Sequence, residues 1–185
     1  MANTIRYAFG DSSLGPLLVA ASERGLAFVA FDAGIADLDA RFPEAGLVED
    51  PAALRETIGK LADLIDHPES EAVFPLDLRG TDFECRVWNA LREVPAGTTT
   101  TYGEIAARVG APRQAREVGE ACGSNRLAVV VPCHRVVKKD GSISGYRWGV
   151  RRKRELLRRE HSARLLRTGV IPPHGVAASQ QFGDT

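Results

Sequence analysis

"VVVPCHRVV", residues 129–137, is the stretch on which the fold turns. Three valines after Leu127 and Ala128 have the pattern of a strand enclosed on both faces. Pro132 has no N–H to give to a ladder, so the strand is expected to stop there. A thiol, Cys133, and an imidazole, His134, then follow side by side at the end of a rigid element. That placement suits chemistry.

Upstream, the valine run is separated by "GSN", residues 123–125, from a helical pattern in which Ala115, Val118 and Cys122 share a face and Pro112 marks the expected start. Before it, Thr101 and Glu104 form a capping box that opens "YGEIAARV", and Gly110 closes that helix. Two short helices joined by "GAP" have the spacing of a helix-turn-helix. Helical hairpins that never meet DNA share that spacing, so it alone leaves both readings open. The outer face of the second helix carries Arg113, Arg116, Glu117 and Glu120, which does not suit phosphate tracking by the whole helix but leaves room for one arginine to act alone. Thr81 and Glu84 repeat the capping box ahead of a helix lined by Phe83, Val87, Leu91 and Val94.

Downstream, Asp140-Gly141 in "KKDGS" predicts a hairpin turn, and "GYRWG", residues 145–149, reads as an aromatic, glycine-flanked loop. The last helix is expected from about Gly149 to Glu160, with Val150, Leu156 and Leu157 on its inner face and Glu160 pointing inward with them. Residues 161–185 lose periodicity and read as a flexible tail.

The first part of the chain reads differently. "TIRYAF", "PLLVAAS" and "LAFVAFD" are short strands parted by turn clusters, and "GIADLDARF" is a short helix. Asp50 before Pro51 is an N-cap followed by proline at the first helical position, after which Leu54, Ile58, Leu61 and Ile65 recur at helical spacing. "EAVFPLDL" is expected as a strand held to an edge by Pro75. His67, before Pro68 in a polar break, is expected at the surface. Residues 1–79 thus form an α+β unit with nothing catalytic in it, and residues 80–160 form the second unit.

At 185 residues the chain can bury a sizeable core, and 44% hydrophobic with 26% charged residues is the balance of a soluble globular protein. No apolar run reaches membrane-spanning length, and "MANTIRYAFG" lacks the regions of a signal peptide, so a cytoplasmic location is expected. Three cysteines with no CxxC pair argue against a disulfide framework or a cysteine-only zinc site, and leave the thiols free to react. The net charge of zero conceals a split: residues 1–85 hold 6 Lys/Arg against 16 Asp/Glu, and residues 86–167 hold 18 against 7. A basic second half suggests a polyanion partner, although "RRKRELLRRE" also suits a solvated helix face.

An adjacent Cys and His admit several roles. A buried structural thiol suits Cys85 and Cys122. A metal pair needs further ligands, and none stands at suitable spacing. A cysteine hydrolase needs an oxyanion hole, for which no loop is evident. A thiolate nucleophile in a DNA-binding unit is the remaining option.

In "VWNALREVPAGTTTTYGEIA", "GAPRQAREVG", "SNRLAVVVPCHRVV" and "DGSISGYRWGVRRKRELLRRE", in that order, the chain resembles the O6-alkylguanine-DNA alkyltransferases, also called methylated-DNA–protein-cysteine methyltransferases. The likeness covers roughly Thr81 to Glu160, and its "GYRWG" version is similar to the C-terminal half of the bacterial adaptive-response regulator, whose four-cysteine zinc domain has no counterpart here. The resemblance implies an N-terminal ribonuclease-H-like α+β domain followed by a mainly helical winged-helix domain. It implies single-turnover transfer of an alkyl group from O6-alkylguanine, and conceivably O4-alkylthymine, in double-stranded DNA after base flipping, by a monomer without cofactor or metal. Cys133 would accept the alkyl group, His134 would take the thiol proton through a water, and Glu160 would orient the imidazole. Tyr102 would contact DNA and help protonate the leaving guanine, and Arg116 would enter the duplex in place of the flipped nucleotide. Asn125 would brace the turn before the active-site strand, and Val136, Tyr146, Arg147 and Trp148 would form the pocket wall. Glu117 departs from the small apolar residue usual in the family and sets a carboxylate beside Arg116. A non-catalytic winged-helix binder of alkylated DNA is the alternative, and Cys133 argues against it.

Overall fold

The computed structural model describes residues 4–70 and 72–168. Its first unit is a four-stranded sheet in the order β3-β2-β1-β4, made of β1 (Thr4–Ser12), β2 (Gly15–Ser22), β3 (Gly25–Phe31) and β4 (Gly46–Glu49). The first three strands form an antiparallel meander, and β4 returns parallel to β1 after helix α1 (Ile35–Arg41). Helix α2 (Pro51–Asp66) begins as its sequence dictates, with Asp50 accepting from the Ala53 N–H at 3.0 Å and Pro51 at the first position. Its Leu61 and Ile65 are buried against the sheet, and Ile58 fills the space beside Gly10 where any side chain on β1 would clash. His67 caps the C-terminal end of α2 with its side chain exposed.

"EAVFPLDL" does not make the expected edge strand. Residues 72–78 are an extended segment with a single bridge, Leu76 to Leu26, in which the Pro75 carbonyl accepts from Leu26. A proline cannot donate back, so the ladder goes no further.

The second unit holds α3 (Asp82–Arg92), α4 (Tyr102–Arg108), α5 (Ala115–Gly123) and α6 (Val150–Thr168). Both capping boxes form, at Thr81/Glu84 and Thr101/Glu104. The helix-turn-helix pair is α4 and α5, with Gly110 at φ 75° ending the first. Trp88 of α3 donates to the Ala121 carbonyl of α5 at 2.8 Å, which ties the helices together. Pro112 lies in the turn between the helices, and α5 starts three residues later, at Ala115.

The valine run is not a strand. Leu127 makes one bridge to Val29 of β3, and the chain then turns over residues 128–130 with Val129 at φ 67°, a conformation that costs a β-branched residue energy. The run is apolar because the turn is buried between the two units: Leu127, Ala128, Val129 and Val131 are all in the core. The strand comes later, as β6 (Val136–Val137), paired in parallel with β5 (Thr100–Thr101). Between them Cys133–Arg135 forms one turn of 3₁₀-helix. Asp140-Gly141 makes a tight turn closed by Lys138 N–H to the Ser142 carbonyl at 2.9 Å, but no strand ladder follows, so it is not a hairpin.

Helix α6 runs eight residues past Glu160, so 161–168 are helical rather than tail. Arg164 holds that extension by donating to the Gly97 carbonyl at 3.0 Å. The rest of the expected tail, 169–185, lies outside the described residues. On the inner face of α6, Val150 is exposed, and the buried residues are Lys153, Leu156, Leu157 and Glu160. Arg152 and Arg159 reach the other way, to Asp32 and Asp66 of the sheet domain at 2.7 and 2.8 Å, so one helix joins both units. None of the described helices is long and apolar enough to cross a membrane.

Candidate active site

Asn125, buried just after α5, organises the loop that delivers the thiol. Its side-chain oxygen accepts from the Leu127 N–H at 2.9 Å, and its amide donates to the Val131 carbonyl at 3.0 Å and to Cys133 Sγ at 3.2 Å. The valine turn is therefore wrapped around one amide side chain. Cys133 stands at the start of the 3₁₀ turn, 4% exposed. Burial pushes its thiol above the ordinary value, while Asn125, Lys153 and Arg147 favour the thiolate and offset part of that effect. At rest the group is a thiol and needs a base.

His134 is fully buried, with Nε2 2.7 Å from Glu160 Oε1. Hydrogen bonding to a carboxylate assigns the proton to Nε2 and leaves Nδ1 as the acceptor. Nδ1 is buried and meets no protein hydrogen-bond partner. Burial lowers the imidazole below its ordinary pKa; Glu160 opposes this, and Arg135 and Lys153 reinforce it. The expected rise in basicity from Glu160 is present but is outweighed, and His134 is neutral near pH 7. A neutral imidazole with a free Nδ1 is the form that takes a proton.

Glu160 does not depend on His134 alone. Arg135 brackets it, with Nε 3.1 Å from each carboxylate oxygen and Nη2 2.9 Å from Oε1, and the Gly97 N–H donates at 3.2 Å. Burial pushes this carboxyl up, but the charges and hydrogen bonds of His134 and Arg135 prevail and hold it at about 2. The Arg135 guanidinium pairs with Glu160 independently of His134, so the carboxylate keeps a cationic partner when His134 is neutral. Gly97, at φ 78°, is obligatory: a Cβ there would lie 2.9 Å from the Glu160 carbonyl oxygen.

A second polar line runs on the other side of the thiol. Tyr102 donates to Ser144 Oγ at 2.6 Å, and Lys153 Nζ donates to the same oxygen at 2.8 Å and to the Val136 carbonyl at 2.6 Å. Burial raises the Tyr102 phenol, with Cys122 and Cys133 adding to the shift against the Ser144 hydrogen bond, so the phenol keeps its proton. Burial lowers Lys153 to about 8, against the opposing pull of Cys133 and Cys122.

The thiol opens into a cavity of about 280 Å³, small for a ligand pocket but with room for one base. Tyr102, Cys122, Tyr146 and Arg147 form its walls with three glycines. Tyr146 packs edge-on between His134 and Trp148, with centroids 6.3 and 5.2 Å away. Val136 and Trp148, expected in the wall, stand behind it instead: Val136 is held in β6, and Trp148 backs Tyr146. Arg116 lies on α5 away from the cavity, fully extended into solvent, and pairs at 3.2 Å with Glu120 rather than with the adjacent Glu117. Among the described residues no cluster of His, Cys, Asp and Glu has the makings of a metal site.

Sequence reasoning missed Arg135, Ser144 and Lys153. Lys153 was within reach, since Lys153, Leu156, Leu157 and Glu160 follow the i, i+3, i+4, i+7 rule of one helix face. Ser144 carried no signal.

Residues 82–162 match the model of the 6-O-methylguanine DNA methyltransferase DNA-binding domain, and residues 5–66 match the ribonuclease-like domain of the same proteins. The chain is 44% identical over 161 residues to the regulatory protein ada of Salmonella typhimurium, covering 85% of this chain and 46% of that protein. It thus spans about half the length of that relative and of the Escherichia coli Ada protein, which is 42% identical. A methylated-DNA–protein-cysteine methyltransferase of Mycobacterium bovis is 40% identical over 158 residues, covering 85% of this chain and 93% of the relative. The crystal structure of Mycobacterium tuberculosis OGT in complex with DNA superposes with a TM-score of 0.76 at 39% identity, covering 85% of this chain and 94% of that one.

Proposed function

The chain belongs to the methylated-DNA–protein-cysteine methyltransferase family, and we propose that it repairs DNA by moving one alkyl group from O6-alkylguanine to Cys133. The observation that carries this reading is a single one. A buried thiol faces a small cavity, with an unspent imidazole nitrogen beside it in sequence and a locked carboxylate behind that imidazole.

The duplex hides the O6 position in its stack, so the nucleotide is turned out into the cavity at a cost of a few kcal/mol. Arg116, exposed near the start of α5, leaves its surface pair with Glu120 and takes the nucleotide's place in the duplex. The Cys133 proton passes through a water to His134 Nδ1, and Glu160 and Arg135 hold the imidazolium that results. The thiolate attacks the alkyl carbon: an S–C bond forms, the C–O bond breaks, and its electron pair leaves on guanine. Tyr102 gives that anion a proton, with Ser144 and Lys153 behind the phenol to keep it oriented. The thioether has no group beside it able to cleave it, so each molecule acts once. It acts as a monomer in the cytoplasm, with no cofactor, on double-stranded DNA.

Intact mass after incubation with an O6-methylguanine duplex tests this. The expected result is a gain of one methylene per molecule, stopping at one equivalent. No gain, or turnover beyond one equivalent, overturns it.

A further inference from the structure

We propose that Arg41, Arg126 and Arg147 form a phosphate-binding rim beside the cavity, through which the sheet domain itself grips the DNA backbone next to the extruded nucleotide. This rests on the DNA-repair reading above and adds a contact from the domain in which the sequence showed nothing functional.

The three arginines come from separate segments: the last residue of α1, the loop after α5, and the cavity wall. Strand β3 and its neighbours bring them together. The Val29 N–H donates to the Arg126 carbonyl at 2.8 Å, and Ala128 returns a bond to the Val29 carbonyl at 2.9 Å. Phe42, next to Arg41, is buried against Phe28 of the same strand. Arg147 Nη1 donates to the Gly123 carbonyl at 2.9 Å, and both residues line the cavity.

Glu84 and Asp37 offset only part of this charge. Arg41 forms no hydrogen bond or ion pair among the described residues, and Arg126 Nε is buried without a partner. Burial lowers the pKa of both Arg126 and Arg147, and in each case Arg41 is the next largest cause. The acids within range are already engaged. Glu84 caps α3 and accepts from Ser124, and Asp37 accepts from the Gly34 N–H. Three like charges and an unused donor destabilise the fold unless an anion completes them. Because Arg147 is part of the cavity wall, a nucleotide lodged in the cavity carries its own flanking phosphates to this rim. That favours the phosphodiester backbone over a free anion.

Arg41→Ala and Arg41→Lys test the rim in the full chain. Fluorescence anisotropy with a duplex across a salt series should show the slope of log affinity against log salt falling by about one for Arg41→Ala, as for the loss of one phosphate contact. Arg41→Lys should restore it. Methyl transfer from an O6-methylguanine duplex should slow more than alkylation by free O6-benzylguanine, which brings no phosphate. An unchanged slope, or equal losses on both substrates, overturns the rim. Failure of the unaltered protein to take a methyl group from the duplex would instead overturn the repair reading.

Discussion

The sheet domain buries almost nothing polar, Asp77 excepted, whereas the second domain encloses Thr100, Asn125, His134, Ser144, Lys153 and Glu160. Enclosing a polar group without a partner costs about 2–7 kcal/mol, so stability alone would have kept both interiors apolar. The second domain meets that cost by pairing nearly every group, and Asn125, Glu160 and Lys153 each make three or more hydrogen bonds. Of its described side chains, Arg126 Nε, Tyr146 Oη and His134 Nδ1 remain unspent, and the last is next in sequence to the thiol. One interior is arranged to be stable, and the other to hold a reactive pair ready.

If that division is right, removing the thiol should erase function and spare the fold. Cys133→Ala is expected to abolish methyl transfer, measured by intact mass, while damaged-duplex binding and melting temperature change little. Cys85→Ala and Cys122→Ala should keep transfer, since burial pushes the Cys122 thiol further from ionisation and Cys85 sits outside the cavity. Peptide mapping of the alkyl group to either would break the comparison at its centre.

Glu160→Gln tests whether the buried polar cluster serves reactivity as well as packing. Losing the anion leaves His134 with burial, Arg135 and Lys153 all depressing its basicity. Transfer should slow by roughly a hundredfold at pH 7, the low end of the usual worth of an acid–base group, and recover in part toward pH 9 as the thiolate fraction grows with pH. The stability signs also follow. The His134 pKa lies below its unfolded value of 6.5, so the unaltered protein loses stability as pH falls below that value. Glu160, held at about 2 against 4.5, contributes stability that is lost as pH falls from 4.5 toward 2, and the variant should lack this second decline. A loss of rate equal at every pH from 6 to 9 would make Glu160 purely structural.

The sequence carried the elements whose signals are local. Capping boxes at Thr81 and Thr101, Asp50 before Pro51, and the alternating strands of residues 4–31 each declare themselves within a few residues. Adjacency singled out Cys133 and His134, helix spacing turned Glu160 inward, and the family resemblance gave their roles; the structure brings His134 and Glu160 into contact. Partners that meet only through the tertiary fold were not legible: Ser144 with Tyr102, the Gly97 N–H with Glu160, or Arg41 with Arg147. The valine run misled because burial and strand propensity look alike in an apolar stretch, and what decides between them is Asn125, four residues before Val129.

Arg116→Ala should have a narrower effect, because it leaves both interiors intact. Duplex repair is expected to fall by about tenfold or more, on the order of the 1.4 kcal/mol that a helix-filling side chain returns to a flipped base. Alkylation by free O6-benzylguanine should fall far less. Equal losses would move Arg116 from the DNA into the fold, which its exposed position opposes.

The smallest effect lies in the valine turn and concerns a sign rather than a size. Val129 is buried but sits at φ 67°, whereas its counterparts in the sheet, such as Val19 and Val29, occupy regular strands. Shortening a buried valine costs up to about 1.5–3 kcal/mol whatever its backbone. Glycine in place of alanine normally costs a further ~0.5–1 kcal/mol from chain entropy, and that order should hold at Val29. At Val129 the left-handed conformation penalises alanine by roughly 1–2 kcal/mol and glycine not at all. The two terms nearly cancel, with the balance on the side of glycine. Thermal melting should therefore place Val129→Gly at or above Val129→Ala, the reverse of the order at Val29. If glycine melts lower at both positions, the left-handed turn is absent, and residues 129–131 regain the strand that their composition suggests.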